Sequence, residues 1–160
     1  LGKHDVLTRL RNRTFYAEEL NRLSRRGPWP LTVIAIDLNG LKRVNDEQGH
    51  AAGDALLRRV GEVLAKAVDA PACAARVGGD EFAVLLPGVD ERGAAAIRDR
   101  IQSLVELNNQ FYSGQPLGLA MGIACCQSGE AVESALHKAD QAMYEEKKRY
   151  YHQQGLERRR

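Results

Sequence analysis

The apolar positions along the chain fall into two kinds of run. Residues 31–38, LTVIAIDL, are short, β-branched and almost wholly apolar, the pattern of a strand covered on both faces. Residues 52–68 instead carry Leu56, Leu57, Val60, Val63, Leu64 and Val68 at the spacing of an amphipathic helix. Residues 12–26 set Phe15, Leu20 and Leu23 at helical spacing, and the following GPWP breaks that helix. After the turn signal NG, a short helix is predicted over 41–48. The segments ACAARV, GG and DEFAVLLP read as strand, turn and strand, with a two-residue Gly-Gly hairpin connection. Residues 90–108 predict a helix with Asp90 as N-cap, 116–127 another strand, and 130–151 a long closing helix. Helix, strand, helix, helix, strand, strand, helix, strand, helix is the order of an α/β sandwich with a mixed sheet that contains an antiparallel hairpin.

Composition narrows the function classes. A chain of 160 residues supports one domain with a proper core better than two. Its net charge of +2 leaves no basic stripe of the kind a nucleic-acid polymer would require. No apolar stretch approaches the ~20 residues that span a bilayer. No signal-peptide pattern opens the chain, so a cytoplasmic domain is expected. The first residue is Leu, and the chain reads as the C-terminal piece of a longer regulatory protein, anchored or not upstream. Cys73, Cys125 and Cys126 lie in apolar runs without metal-ligand spacing and read as small hydrophobes in a reducing compartment.

The chemistry concentrates where acids interrupt apolar runs. Asp80 and Glu81 open a strand that is otherwise core, although acids are poor strand formers. Asp37 comes at the end of 31–38, and in α/β sheets ligands gather beyond the carboxyl ends of strands. If these strands are neighbours, three carboxylates converge, and their repulsion calls for a cation. Mg²⁺ fits, because it takes a few carboxylates together with substrate phosphates. No His or Cys cluster competes for a softer metal. Gly78 and Gly79 allow positive φ and close approach of a ligand. Lys42 is within reach of a phosphate as a point charge. Asn45 and Asp54 bracket a helix–turn–helix, and an amide with a carboxylate can read a guanine edge. The plainer alternative makes Asp54 a helix cap and Asn45 a solvated surface residue.

Four motifs stand in order: DVLTRLRNRTFY at 5–16, D-x-N-x-x-K-x-x-N-D-x-x-G-H-x-x-G-D from Asp37 to Asp54, GGDEF from Gly78 to Phe82, and ADQAMYEEK at 139–147. Together they resemble the GGDEF family of diguanylate cyclases over nearly the whole chain. The resemblance implies a nucleotidyl-cyclase, palm-like fold with a central five-stranded sheet. It implies that two GTP molecules are condensed into cyclic di-GMP, with release of two pyrophosphates. Each domain would hold one GTP, so a homodimer is needed, usually assembled by an upstream sensory domain. By the same resemblance, Asp37, the carbonyl of Leu38, Asp80 and the adjacent Glu81 hold Mg²⁺ or Mn²⁺. Asn45 and Asp54 read guanine. Lys42, Lys147 and N–H groups at Gly40, Leu41, Gly78 and Gly79 hold phosphates, and Asp80, Glu81 and Lys42 carry the catalysis.

The chain also departs from the family pattern. Where many members carry an R-x-x-D product-inhibition site, residues 69–72 read DAPA, so product inhibition of the usual kind is not expected. Arg98 and Arg100 are the alternative candidates for product phosphates. Tyr151 stands where a phosphate-facing Arg is usual, with Arg149 as its possible replacement; Arg9 stands where Gly is usual, and Leu41 where Phe is usual. Two other readings follow: a GGDEF domain that binds GTP or cyclic di-GMP without turnover, and a purely structural interaction domain.

Overall fold

The structure is a computed structural model that describes residues 2–155. Its elements are α1 (Arg13–Arg26), β1 (Leu31–Leu38), α2 (Leu41–Gln48), α3 (His50–Ala67), β2 (Cys73–Arg76), β3 (Glu81–Pro87), α4 (Glu91–Phe111), β4 (Leu119–Cys126) and α5 (Val132–Gln153). The predicted order of elements holds. Asn12 caps α1 by accepting from the Phe15 N–H, and Asp90 caps α4 by accepting from the Gly93 N–H. The strands form one sheet in the order β2-β3-β1-β4, and every neighbouring pair is antiparallel.

Four expectations are corrected here. The sheet has four strands among the described residues rather than five, and its ladders are not mixed. What remains of a further, parallel strand is one bridge: the Arg11 N–H donates to the Ala74 carbonyl, and the Arg76 N–H donates to the Arg11 carbonyl. The chain from residue 5 to Arg11 cannot extend this pairing because it is turned back on itself. The Asp5 carboxylate accepts from the Thr8 N–H, and the Asp5 N–H donates to the Leu10 carbonyl. The Gly-Gly connection is not a two-residue turn either. The last paired residues are Arg76 and Phe82, and Glu81's carbonyl accepts from both Val77 and Gly78. Neither Gly78 nor Gly79 has positive φ, so their use is openness rather than left-handed backbone.

The two-residue period of the strands assigns their side chains to two cores. Ile34, Ile36, Phe82, Val84 and Leu86 pack with Leu56, Val60 and Leu64 of α3 and Ile101 and Val105 of α4. Leu31, Val33, Leu85 and Ala124 pack on the opposite face with Leu23 of α1 and Val132, Ala135 and Ala139 of α5. Helices therefore cover both faces, as the apolar run 31–38 required. The same alternation aims Asp37 and Glu81 at the α5 face, two residues beyond Ala35 and Ala83.

α5 is seated closely and in one register. A side chain at Gly122 of β4 would collide with the Ala139 carbonyl and the Met143 amide. At the outer edge of the sheet the Met121 N–H donates to Glu146 Oε1 at 2.7 Å, which also keeps that edge group from going unpaired. The buried stripe of α5 then runs in steps of four: Ala135, Ala139, Met143, Lys147 and Tyr151. The first three are apolar and meet the sheet. The last two are polar and meet the end of β1. The three cysteines are free thiols.

Candidate active site: an acidic cluster at the end of β1

Pairing of β1 with β3 puts Asp37 directly opposite Glu81, and the Leu38 N–H donates to the Asp80 carbonyl at 2.9 Å. Asp37, Asp80 and Glu81 each bring a carboxylate oxygen within 4.8 Å of the others. Asp37 is 6% exposed, Asp80 half-buried and Glu81 exposed, so the cluster opens outward from a buried base. Burial, opposed by the Lys147 ammonium and reinforced by the charges of Asp80 and Glu81, pushes the Asp37 carboxyl up to about 7.

Lys147 closes the buried side. It is 3% exposed, its Nζ donates to the Leu38 carbonyl at 3.2 Å, and it lies 3.0 Å from Asp37 Oδ1. The latter contact is an ion pair without good hydrogen-bond alignment, and Asp37 Oδ1 has no hydrogen-bond donor. One ammonium thus faces three carboxylates. Oxygen donors, excess negative charge and an unsatisfied buried carboxylate oxygen together suit a hard divalent cation. The residues present fit such an ion. Asp37, Asp80 and Glu81 supply the charge, and the Leu38 carbonyl sits beside them.

The second half of the site lies along α2 and α3. Gly40 is the N-cap of α2, and no side chain caps it, so the first-turn N–H groups at Leu41 and beyond face outward without a capping partner. Asn45 lies near the end of α2, and its amide oxygen is buried without a partner. It rests against Gly53 of α3, where any side chain would collide with it. Asp54 is half-buried on the next residue of α3. It is not a helix cap, because α3 begins at His50 with Gly49 as its N-cap. The plain alternative for Asp54 therefore fails.

Of the sequence-predicted residues, the fold brings Asp37, Leu38, Asp80, Glu81 and Lys147 together, with Gly40 and Leu41 adjoining. Asn45 and Asp54 share the α2–α3 hairpin. Gly78 and Gly79 form the turn beside the acids. Lys42 stands apart from them, with a side chain 74% exposed and an ion pair to Asp46 at 3.1 Å. Arg98 pairs with Asp99, and Arg100 donates to the Lys66 carbonyl. A cavity of about 530 Å³ is lined by Lys147, Lys148, Arg149 and Tyr151, which brings Arg149 to the same opening as Tyr151. Sequence reasoning missed Asn39. It is buried, its N–H donates to the Gly118 carbonyl at 2.9 Å, and its amide oxygen has no partner. Its position between the end of a buried strand and a Gly turn was the available signal.

Known proteins resemble this chain in sequence and fold. The family described as "Diguanylate cyclase, GGDEF domain" matches residues 2–153. Diguanylate cyclase DgcP of Pseudomonas aeruginosa is 32% identical over 149 residues, which are 90% of this chain and 22% of that protein. Diguanylate cyclase A of Treponema denticola is 30% identical over 152 residues, 89% of this chain and 41% of that protein. The chain thus spans less than half the length of either relative. The crystal structure of the DgcB GGDEF domain from Caulobacter crescentus, in complex with c-di-GMP, superposes with a TM-score of 0.82 at 28% identity, covering 92% of this chain and 91% of that one. Because the family match covers residues 2–153, nearly the whole described chain, the chain belongs to the GGDEF family of diguanylate cyclases.

Proposed function

We propose that this chain condenses two molecules of GTP into cyclic di-GMP and two pyrophosphates. The observation that carries the reading is the cluster of Asp37, Asp80 and Glu81, gathered within 4.8 Å beside the uncapped N-terminus of α2. The acids and the Leu38 carbonyl would hold Mg²⁺ or Mn²⁺, which when bound neutralises charge on the phosphates and assists the attacking hydroxyl. Lys147 holds Asp37 and the Leu38 carbonyl in its absence and, once released, is free for a phosphate. The α2 N-terminus and the Gly78–Gly79 turn supply N–H groups to the phosphate tail. Asn45 and Asp54 select guanine over other bases by complementing its edge. Asp80 or Glu81 takes the proton of the 3′-hydroxyl as it attacks the α-phosphorus in line.

Among the described residues a single chain carries one such site, so turnover requires two chains face to face. The chain then acts as one catalytic domain of a longer regulatory protein, whose upstream part sets dimerisation in response to a signal. Among the described residues no helix is long and apolar enough to cross a membrane. The DAPA stretch at 69–72 removes the usual product brake.

A second reading, a GTP- or cyclic di-GMP-binding module without turnover, is favoured by one observation: Tyr151 stands in place of the usual phosphate-facing Arg and engages Gly40. Concentrated protein incubated with GTP and Mg²⁺, followed by chromatography, separates the two. Cyclic di-GMP from the parent and none from an Asp80→Ala, Glu81→Ala variant supports the cyclase. GTP binding without product, even after fusion to a dimeriser, supports the module. Absence of both sinks both readings.

A further inference from the structure

The buried stripe of α5 ends in two polar residues one turn apart. Lys147 is accounted for by the carboxylate beneath it. Tyr151 is not, since its ring packs deep in the protein while its hydroxyl reaches across to α2. The Tyr151 oxygen accepts a hydrogen bond from the Gly40 N–H at 3.0 Å. The ring is held for that contact. It meets Tyr150 edge-on, with centroids 5.0 Å apart and planes at 80°, and the Lys147 ammonium lies 5.6 Å from its centroid. Gly40 is the N-cap of α2, the end of a helix whose N–H groups favour an anionic oxygen. The phenol oxygen plays that acceptor role from within the protein.

We infer that Tyr151 is an internal competitor for the phosphate tail, a neutral oxygen held on the Gly40 N–H that the nucleotide must displace. The inference rests on the GTP reading above and adds a residue that sets affinity for the phosphates without touching the base. The energetics give it a sign. Removing the hydroxyl leaves the Gly40 N–H without its partner in the empty protein, and an unmade hydrogen bond at a part-buried donor is costly. The nucleotide complex does not bear that cost, because a phosphate oxygen takes the N–H. Tyr151→Phe therefore raises the free energy of the empty state alone, and binding tightens. A hydroxyl that instead stayed in place and donated its proton to a phosphate would give the opposite sign, since the variant would lose a bond only in the complex.

The test compares wild type with Tyr151→Phe, a change that keeps the ring and its packing. Calorimetry with a non-hydrolysable GTP analogue and Mg²⁺, and separately with guanosine, reads the phosphate and base contributions. Hydrogen exchange at the Gly40 amide in nucleotide-free protein reads the contact itself. The expected result is about fivefold tighter binding of the analogue to the variant, the worth of one hydrogen bond. Guanosine affinity should be unchanged, and the Gly40 amide should exchange faster in the variant. Equal or weaker binding of the analogue by Tyr151→Phe overturns the inference while leaving the GTP reading intact. No binding of the analogue by either protein overturns both.

Discussion

Two buried cations, Arg59 on α3 and Lys147 on α5, have surroundings that differ in kind. Arg59 of α3 is 6% exposed. Its guanidinium donates to Asn108 Oδ1, Asn109 Oδ1 and the Gln115 carbonyl, each at 2.7 Å, and stacks over the Tyr112 ring at 4.7 Å. Asn109 in turn exchanges hydrogen bonds with the backbone of Leu117. Around Lys147 the pairing is incomplete: the ammonium meets Asp37 alone of three clustered acids, and Asp37 Oδ1 and Asn39 Oδ1 have no hydrogen-bond donor. A completed network rigidifies, whereas a buried orphan costs free energy and persists where a ligand completes it. The Arg59 network ties α3 to α4 and to the loop before β4. The Lys147 cluster is the place left for chemistry.

The largest expected effect breaks the completed network. Arg59→Ala removes three charge-assisted hydrogen bonds and the stacking on Tyr112, and should cost about 4 kcal/mol in urea unfolding. Mg²⁺ should recover none of it. Lys147→Ala should cost about 3 kcal/mol in metal-free buffer at pH 8, by removing the charge that offsets the burial of Asp37. Here Mg²⁺ should restore a measurable part, because the ion replaces the missing charge. Equal response of the two variants to Mg²⁺ would erase the distinction between the networks.

A pH series on metal-free protein sharpens it further. Asp37 is raised to about 7 in the fold from an unfolded value of 3.8. Between those values the folded state keeps a proton that the unfolded state has released. That contribution to stability is full below the unfolded value and is lost as pH rises through about 7. Urea midpoints should therefore fall by the equivalent of about 2.5 kcal/mol between pH 5 and 8 in wild type. Asp37→Asn should flatten that part of the profile. The smallest effect lies away from both cations. Arg9 has φ of 67°, a left-handed conformation that favours Gly, so Arg9→Gly should relieve strain and raise stability by about 0.5 kcal/mol in the same assay.

The sequence made the strands legible because buried strands are short and β-branched, and it made the acid cluster legible because Asp80 and Glu81 break an apolar run. The register that pairs Asp37 with Glu81 follows from apolar alternation on both strands. The five-stranded expectation came from resemblance, and no further apolar run in this chain supplies the missing strand. The motif marks Lys147 as a phosphate contact and carries no spatial direction. The place of Lys147 beneath Asp37 depends on α5 closing onto Gly122, a tertiary fact. Arg59 was overlooked as one charge in an amphipathic helix, although it lies three residues from both Leu56 and Glu62, where the buried face meets the polar one. Its partners come from α4 and the loop before β4, far along the chain.

The most direct test of the incomplete cluster as the functional centre is thermal unfolding with and without Mg²⁺ plus a non-hydrolysable GTP analogue, for wild type and Asp37→Asn. The account predicts a clear rise in Tm for wild type, growing with ligand concentration, and little or none for the variant. No rise in wild type, or the same rise in both, would contradict it.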